Sequence, residues 1–363
     1  MKVLVAMSGG VDSSVAAALL KEAGHQVVGV TLRLWGGESD SGCCSVSDVD
    51  DARRVAQQLG IDHLVFNFSD DFQRTVVDPY VNDHAVGITP NPCIECNRHL
   101  KFDRLFDRAD VLGFDAVATG HHARIEHVGG AWRLLRGHDS AKDQSYVVHM
   151  LDQERLSRCL FPVGTMTKAE VRGHAERLGL RTAHKPDSQD VCFITSGGGG
   201  RSDFLRRRIP LHTADVVDES GRAIGQVDAV ELVTLGQRRG VAGGGGTKRF
   251  VVDVDVPGRR VVVGPHEASL VDSEVGTAPV WSNGPFEGEV MVQCSAHGEP
   301  RRARLRRVEA SGDDVTSDRV VIEWHEGQRR VSPGQSLVFY DPLGDWVIGG
   351  ATTSSAPVVA TTH

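Results

Sequence analysis

The sequence predicts an α/β protein that begins on a parallel sheet and ends in an all-β region. Three observations carry this reading. Over the first 120 residues short apolar runs alternate with stretches of helical periodicity, the pattern of a sheet covered on both faces by helices. A Gly-rich turn joins the first apolar run directly to the first helical stretch. Beyond residue 200 the helical patterns give way to short β-type runs broken by Gly, Pro and Asp, as in a small barrel.

Taken in order, Lys2–Met7 is an apolar strand, and Val11–Ala23 is a helix with Ala16, Ala17, Leu19 and Leu20 apolar and Gly24 as its stop. Gln26–Leu34 is a second strand, Asp48–Leu59 a helix ending at Gly60, His63–Phe68 a third strand and Ala116–Thr119 a fourth. Ligands of such sheets bind at the carboxyl ends of the strands. A Gly run at 197–200 closes this part. The later β runs are Phe250–Val256, Arg260–Val263, Glu289–Gln293, Val320–Trp324 and Ser336–Tyr340. One boundary therefore falls near 196–200 and a softer one near 275. The expected domains are 1–198, 199–275 and 276–355, with a frayed Ala/Thr/Ser/Val-rich tail from Thr352.

A chain of 363 residues suits two or three domains. With 40% apolar and 24% charged residues it has the composition of a soluble globular protein. It has no apolar run long enough for a membrane span, and its N-terminal run is too short for a signal peptide, so a cytoplasmic location is expected. The net charge of -8 argues against wholesale attraction to nucleic acid and leaves only local basic patches for that purpose. The seven cysteines are odd in number. In a reducing compartment they read as free, catalytic or metal-binding rather than as staples.

Ala6-Met7-Ser8-Gly9-Gly10-Val11-Asp12-Ser13-Ser14 links the first strand to the first helix. Its glycines allow a phosphate close to the backbone, and the helix start offers N–H groups and a positive dipole end. Ser8 and Ser13 add hydroxyl donors, and Asp12 is a candidate ligand for phosphate-bound Mg²⁺. The loop lacks the Lys of kinase and GTPase loops. It resembles the SGGxDS loop of the ATP pyrophosphatases, a resemblance that implies ATP, Mg²⁺ and adenylation of a substrate oxygen.

Cys93 and Cys96 lie in the stiff segment Asn91-Pro92-Cys93-Ile94-Glu95-Cys96-Asn97-Arg98. Asn97 is expected to cap a helix beside Cys96, where a thiolate is stabilised. Cys192 follows 96 residues later, with Lys185 nearby. Two such cysteines suit sulfur transfer, one carrying a persulfide and the other resolving it. The bland reading of Cys192 is a small core residue among Val191, Phe193 and Ile194. Cys93-x-x-Cys96 has no second CxxC with which to complete a zinc site. Cys159 and Cys294 read as structural, and Cys43 and Cys44 receive no role.

Together these segments resemble the bacterial tRNA-specific 2-thiouridylase family over nearly the whole chain. The resemblance rests on Ser8–Ser14, Thr89-Pro90-Asn91-Pro92 with Cys96-Asn97, Thr119-Gly120-His121-His122-Ala123-Arg124 and Lys142-Asp143-Gln144-Ser145-Tyr146. It continues through Phe161-Pro162-Val163-Gly164, Asp187–Ile194, Leu235–Gly240 and Ser332-Pro333-Gly334-Gln335. It implies a parallel-sheet PP-loop ATP pyrophosphatase domain, then a small central domain that contacts tRNA, then a C-terminal β-barrel-like tRNA-binding domain.

The resemblance also implies residue roles. Ala6, Met7, Ser8, Gly9, Gly10, Val11, Asp12, Ser13, Leu32 and Gly120 would bind ATP. Asn91, Pro92 and Cys93 would meet the flipped-out base. Cys96 would be the nucleophile and Cys192 the persulfide carrier, the two closing a disulfide during turnover. His121, Lys142, Asp143, Gln144, Ser295, Ala296 and Gln335 would contact tRNA. The sulfur would come from a cysteine desulfurase or a sulfur carrier protein, and no membrane is involved.

Two departures stand out. Many members of the family carry Asp where this chain has Cys93. The Arg-aromatic-Arg strand found in many of them corresponds here to Ser295-Ala296-His297. A row of Arg302, Arg304 and Arg306 lies just beyond, on one face if the segment is a strand, where it reads either as a phosphate-binding row or as a solvated face. Three alternatives stay open: a small-molecule synthetase with the same loop, an RNA-binding protein with a vestigial nucleotide site, and thiolation through a [4Fe–4S] cluster held by Cys93, Cys96 and Cys192.

Overall fold

The computed structural model describes residues 1–34, 46–187, 191–194, 199–241, 248–308 and 318–354. Cys43, Cys44, residues 188–190, part of the Gly run and the end of the tail lie outside the described residues. The chain groups into two units. The first holds residues 1–77, 92–200 and 345–347, the second 78–91, 201–344 and 348–363.

The first unit is built on β1 (Lys2–Ala6), β2 (Gln26–Arg33), β3 (Asp62–Asn67), β4 (Ala116–Ala118), a hairpin of β5 (Ala123–Val128) and β6 (Ala131–Arg136), and β7 (Cys159–Leu160). The order β3-β2-β1-β4-β7 forms a parallel sheet. Val3, Leu4 and Val5 of β1 are all fully buried, which is why this strand reads as a continuous apolar run and not as an alternation. Helices α1 (Val11–Glu22) and α2 (Val46–Leu59) and the helix Lys168–Arg177 share one core with the sheet through Val15, Ala16, Val55, Val171 and Ala175. From β1 the chain moves outward to β2 and β3, then returns to β4 on the other side. The crevice at such a reversal is where open sheets of this kind bind ligands.

A long helical stretch carries Pro92–Cys96, a π-helical segment Asn97–Arg104 and Leu105–Val111. Here the structure corrects the expectation for Asn97. The helix starts at Pro92, where proline's missing N–H and fixed φ cost nothing, so Cys96 closes the first turn instead of preceding it. Asn97 is already helical, and its side-chain amide donates to the Val147 carbonyl at 2.9 Å.

The second unit contains a mixed sheet of β8 (Ala214–Asp218), β9 (Ala223–Val227), β10 (Phe250–Asp255) and β11 (Arg260–Gly264), in the order β10-β11-β8-β9. Only β11 and β8 run parallel. Val216, Val230, Val251, Val261 and Val263 form its own core. Six further strands follow: β12 (Leu270–Trp281), β13 (Gly288–Gln293), β14 (Arg301–Val308), β15 (Arg319–Arg329), β16 (Ser336–Tyr340) and β17 (Trp346–Thr353). They run β12-β15-β14-β13-β16-β17, and β12 pairs again with β17, for example Val280 with Gly350. The sheet thus closes into a six-stranded barrel around Leu305, Ile322, Leu337 and Phe339. Closure pairs the two outer strands of the six, β12 and β17, with each other. Within the first unit, Trp346 and Val347 pair with Leu135 and Leu134 of β6.

Candidate active site

The crevice between β1 and β4 is lined by the turn after each strand. After β1, Met7 is held by its N–H on the Val30 carbonyl and by the Thr31 hydroxyl on its own carbonyl, each at 2.8 Å. Gly9 follows with φ +73°, and a Cβ there would lie 2.4 Å from the Asp48 carbonyl oxygen. Only glycine fits both conditions. The Ser13 hydroxyl accepts the Ser8 N–H at 3.1 Å, and the Ser14 hydroxyl donates to the Gly10 carbonyl at 2.7 Å. Gly10 is the N-cap of α1 and offers no side-chain bond, so no side chain at the N-cap satisfies the N–H groups of the first turn. After β4, Gly120 rests on this loop: a Cβ at Gly120 would lie 2.5 Å from the Ser13 nitrogen. Leu32 is buried near the end of β2.

A lattice of charges surrounds the loop. Lys168 is the first residue of its helix, which Thr167 and Glu170 start with a capping box. Its ammonium lies 2.8 and 2.7 Å from the two carboxylate oxygens of Asp12, and His122 Nε2 lies 3.1 Å from Oδ1. Burial works against ionisation of Asp12. The His122 and Lys168 contacts outweigh it and hold the carboxyl below its usual range. Asp12, expected from the sequence to face Mg²⁺, thus already carries a counter-cation. Lys168 also reaches Asp187 at 2.9 Å, which Lys142 and Arg172 contact as well. Burial of Asp187 is again outweighed, and its carboxyl sits at about 2. Lys185 joins the Gly9 carbonyl to Asp48 and Asp51. Sequence reasoning missed Lys168 altogether, because an isolated Lys at a helix start carries no local signature. His122 and Asp187 fall inside recognised motifs that by themselves give neither residue a role.

Of the cysteines, Cys93 is exposed, Cys96 buried and Cys192 half-buried. Phe193, beside Cys192, meets Phe72 edge-on at 5.7 Å. The segment Gln73–Val77 that continues from Phe72 packs against the helix Pro92–Cys96. The two cysteine segments therefore share Phe72 and its helix as a common support. Around Cys96, His99 bridges Glu95 at 3.2 Å and Asp103 at 3.5 Å. Hydrogen bonds to Asp103 and Glu95 raise the His99 imidazole to about 9, so it is charged at neutral pH. Among the described residues no three His, Cys, Asp or Glu side chains are gathered to hold a metal. Burial raises the thiols of Cys159 and Cys294, the latter to about 12, as suits structural residues.

The residues expected to meet tRNA are placed diversely. His121 is buried, shares a hydrogen bond of 2.6 Å with Thr119 and stacks on Phe102. Burial pushes its imidazole down to about 3, so it is a neutral anchor of the turn and its ring does not face solvent. Asp143 holds its own turn together through Arg136, the Gly137 N–H and Ser145. Gln144 accepts the His122 N–H at 2.9 Å. Lys142 is drawn to Asp187. In the second unit, the Ser295 and Ala296 carbonyls accept from Gln293, and the Gln335 amide donates to the Thr89 carbonyl. Asn91 belongs to the second unit, Pro92 and Cys93 to the first.

Arg302, Arg304 and Arg306 do share the outer face of β14, with Ala303 and Leu305 turned inward. Glu289 and Glu323 flank Arg304 across the sheet, and Glu323 pairs with Arg306, so the row is partly neutralised. Changing all three arginines to Ala is expected to lower the slope of log affinity for tRNA against log salt. The decrease should be about 0.7–0.9 for each phosphate that the row no longer neutralises. A salt titration of tRNA binding measures it. An unchanged slope assigns the row to solvent.

Residues 1–196 match the family model described as tRNA methyl transferase HUP domain, and residues 278–353 the Aminomethyltransferase beta-barrel domain. The chain is 43% identical to tRNA-specific 2-thiouridylase MnmA of Roseiflexus castenholzii, with 96% of this chain and 98% of that protein covered. It is 46% identical to the protein of the same name from Chloroflexus aggregans, over 96% and 97%. Among solved structures, U34-tRNA thiolase NcsA from Methanococcus maripaludis is 21% identical and covers 53% of this chain and 61% of its own, with a TM-score of 0.35.

Proposed function

The chain belongs to the tRNA-specific 2-thiouridylase family, and from that premise we propose that it replaces the C2 oxygen of a tRNA wobble uridine by sulfur at the expense of ATP. The observation that carries the reading is the crevice between β1 and β4. Gly9 and Gly120 let the loop backbone pack directly against Asp48 and let the turn after β4 pack against the start of α1, where any Cβ would clash, and the uncapped start of α1 offers N–H groups to phosphate. Ala6 to Ser13, Leu32 and Gly120 form this nucleotide site. Mg²⁺ arrives with ATP, and Lys168 adds a positive charge beside Asp12.

In the first step the C2 oxygen attacks the α-phosphate, pyrophosphate leaves, and the oxygen becomes part of a good leaving group. The uridine must leave its stack to present C2, and Asn91, Pro92 and Cys93 receive it. In the second step the terminal sulfur of a Cys192 persulfide attacks C2. The Cys96 thiolate then attacks the inner sulfur, the Cys96–Cys192 disulfide forms, and AMP departs from C2. Two electrons from a thiol reductant reset the pair, and a cysteine desulfurase or a carrier reloads Cys192. The cluster alternative finds no support in the placement of the three cysteines.

The test supplies the protein with unmodified tRNA, ATP, Mg²⁺, cysteine and a desulfurase, and follows both AMP and 2-thiouridine. Equimolar formation, dependent on tRNA, is expected. AMP release indifferent to tRNA would point to a small-molecule synthetase.

A further inference from the structure

Cys93 and Cys96 lie on one helical segment, Pro92–Cys96, and Cys96 has helical dihedrals, φ -62° and ψ -43°. In an α-helix a spacing of three residues puts two Cα atoms about 5 Å apart, inside the range that a disulfide accepts. It also puts both side chains on one face. The Cβ atoms of such a pair, about 5–6 Å apart, must close by roughly 1–2 Å for a bond, so that disulfide would be strained and readily reduced. The two cysteines differ in access. Cys96 is buried, with 6% of its surface exposed, whereas Cys93 is exposed. Cys192 is half-buried. A disulfide between Cys96 and Cys192 thus joins a buried residue to a half-buried one, and exchange with an external thiol is governed by access to the sulfur attacked. A CxxC beside a parallel α/β sheet has the form of a redox pair.

We propose that Cys93 is a resolving cysteine: it takes the disulfide over from Cys192 and carries it to the protein surface for reduction. This rests on the Cys96–Cys192 disulfide of the proposed reaction. The Cys93 thiolate attacks the Cys96 sulfur. The Cys93–Cys96 bond forms, the Cys96–Cys192 bond breaks, and the electron pair of the broken bond leaves on Cys192 as a thiolate. This exchange consumes no electrons, so Cys192 is ready for a new sulfur before any reductant arrives. An external dithiol then attacks the exposed Cys93 sulfur, releases the Cys96 thiolate and closes its own disulfide, which delivers the two electrons. Residence on one helical turn makes the attack of Cys93 on Cys96 intramolecular, an advantage that no thiol in solution shares. Contact with the target base, the other role of Cys93, does not call for a thiol, since many members of the family carry Asp there.

The experiment loads the protein with sulfur from cysteine and a desulfurase, removes small thiols, and adds tRNA, ATP and Mg²⁺ without reductant. Samples are quenched in acid, alkylated, digested with trypsin and read by mass spectrometry, and 2-thiouridine is measured in parallel. Cys93 and Cys96 fall in one tryptic peptide, Thr75 to Arg98, and Cys192 in another, so mass tells the two disulfides apart. A Cys96–Cys192 link is expected first. It should give way to a Cys93–Cys96 link equal in amount to the 2-thiouridine, with Cys192 alkylated. Formation of 2-thiouridine with the Cys96–Cys192 link alone overturns the proposal and leaves the reaction standing. No 2-thiouridine, or 2-thiouridine with Cys96 in neither link, overturns both. A second arm oxidises wild type and Cys93→Ser with diamide and follows their reduction by thioredoxin. The variant should be reduced more than about tenfold more slowly, because its disulfide lacks the exposed sulfur, and a small phosphine should narrow the gap. Equal rates with thioredoxin overturn the proposal. A variant that diamide cannot link between Cys96 and Cys192 overturns the closing step of the reaction, and the proposal with it.

Discussion

Replacing Cys192 by Ser is expected to abolish 2-thiouridine formation while leaving ATP binding in place. A hydroxyl cannot hold a persulfide, so no sulfur is offered to C2. The loss should exceed about 10³-fold, as it does when a residue acting within a covalent catalytic unit is removed. ATP affinity should shift by less than about 0.5 kcal/mol, the usual bound for sites that share no partner. Cys192 is half-buried and its neighbour Phe193 carries the packing against Phe72, so the change from sulfur to oxygen costs little stability. The same variant should still release pyrophosphate with tRNA, because adenylation precedes sulfur transfer. Thiolation at the wild-type rate, with a desulfurase as donor, would remove Cys192 from the mechanism.

Gly120→Ala should have the second-largest effect, on the nucleotide side. The new methyl group would lie 2.5 Å from the Ser13 nitrogen and 2.7 Å from the Asp12 carbonyl carbon. Both are backbone atoms, so no side chain can swing away. The loop must move by roughly 1 Å, and such a displacement of a positioning element costs about 10²-fold in rate. Overpacking should also take about 1–3 kcal/mol from stability. Gly173→Ala is the matched control, since a Cβ there meets nothing within 4 Å. Titration of ATP-dependent AMP formation separates the two variants. Equal kcat/KM for ATP in both would place the nucleotide elsewhere.

Much of the first unit is legible in the sequence because its signals are local. A continuous apolar run marks a strand buried on both faces, and Gly9 marks a loop position into which a side chain would not fit. The outer row of β14 is legible for the same reason, since alternation with Ala303 and Leu305 fixes the face. What stays hidden depends on partners distant in sequence. Lys168 becomes a neighbour of Asp12 only when the sheet brings them together, 156 residues apart in the chain. The β5–β6 hairpin and the twelve-residue β12 carry no clean alternation, because their exposure changes along their length. Asn97 misleads through a local rule. Asn is a frequent N-cap, but Pro92 has already started the helix. His121 looks like a surface histidine beside a glycine, and only the aromatic rings of Phe102 and Phe161 around it reveal a neutral core residue.

The pairing of Trp346 and Val347 with β6 has a consequence for synthesis of the chain. Ribosomes deliver residues from the N-terminus, and domains ordinarily fold as they emerge. Here β6 waits for its partner through more than two hundred further residues. Until residues 345–347 arrive, the edge at Leu134 and Leu135 is an open template for strand addition, and Arg133 lacks the indole of Trp346 that it later covers at 4.6 Å. A polypeptide cut short before this point would hold every residue of the nucleotide crevice yet present a sticky border to its neighbours. Completion of the first unit thus depends on residues made more than two hundred positions after β6.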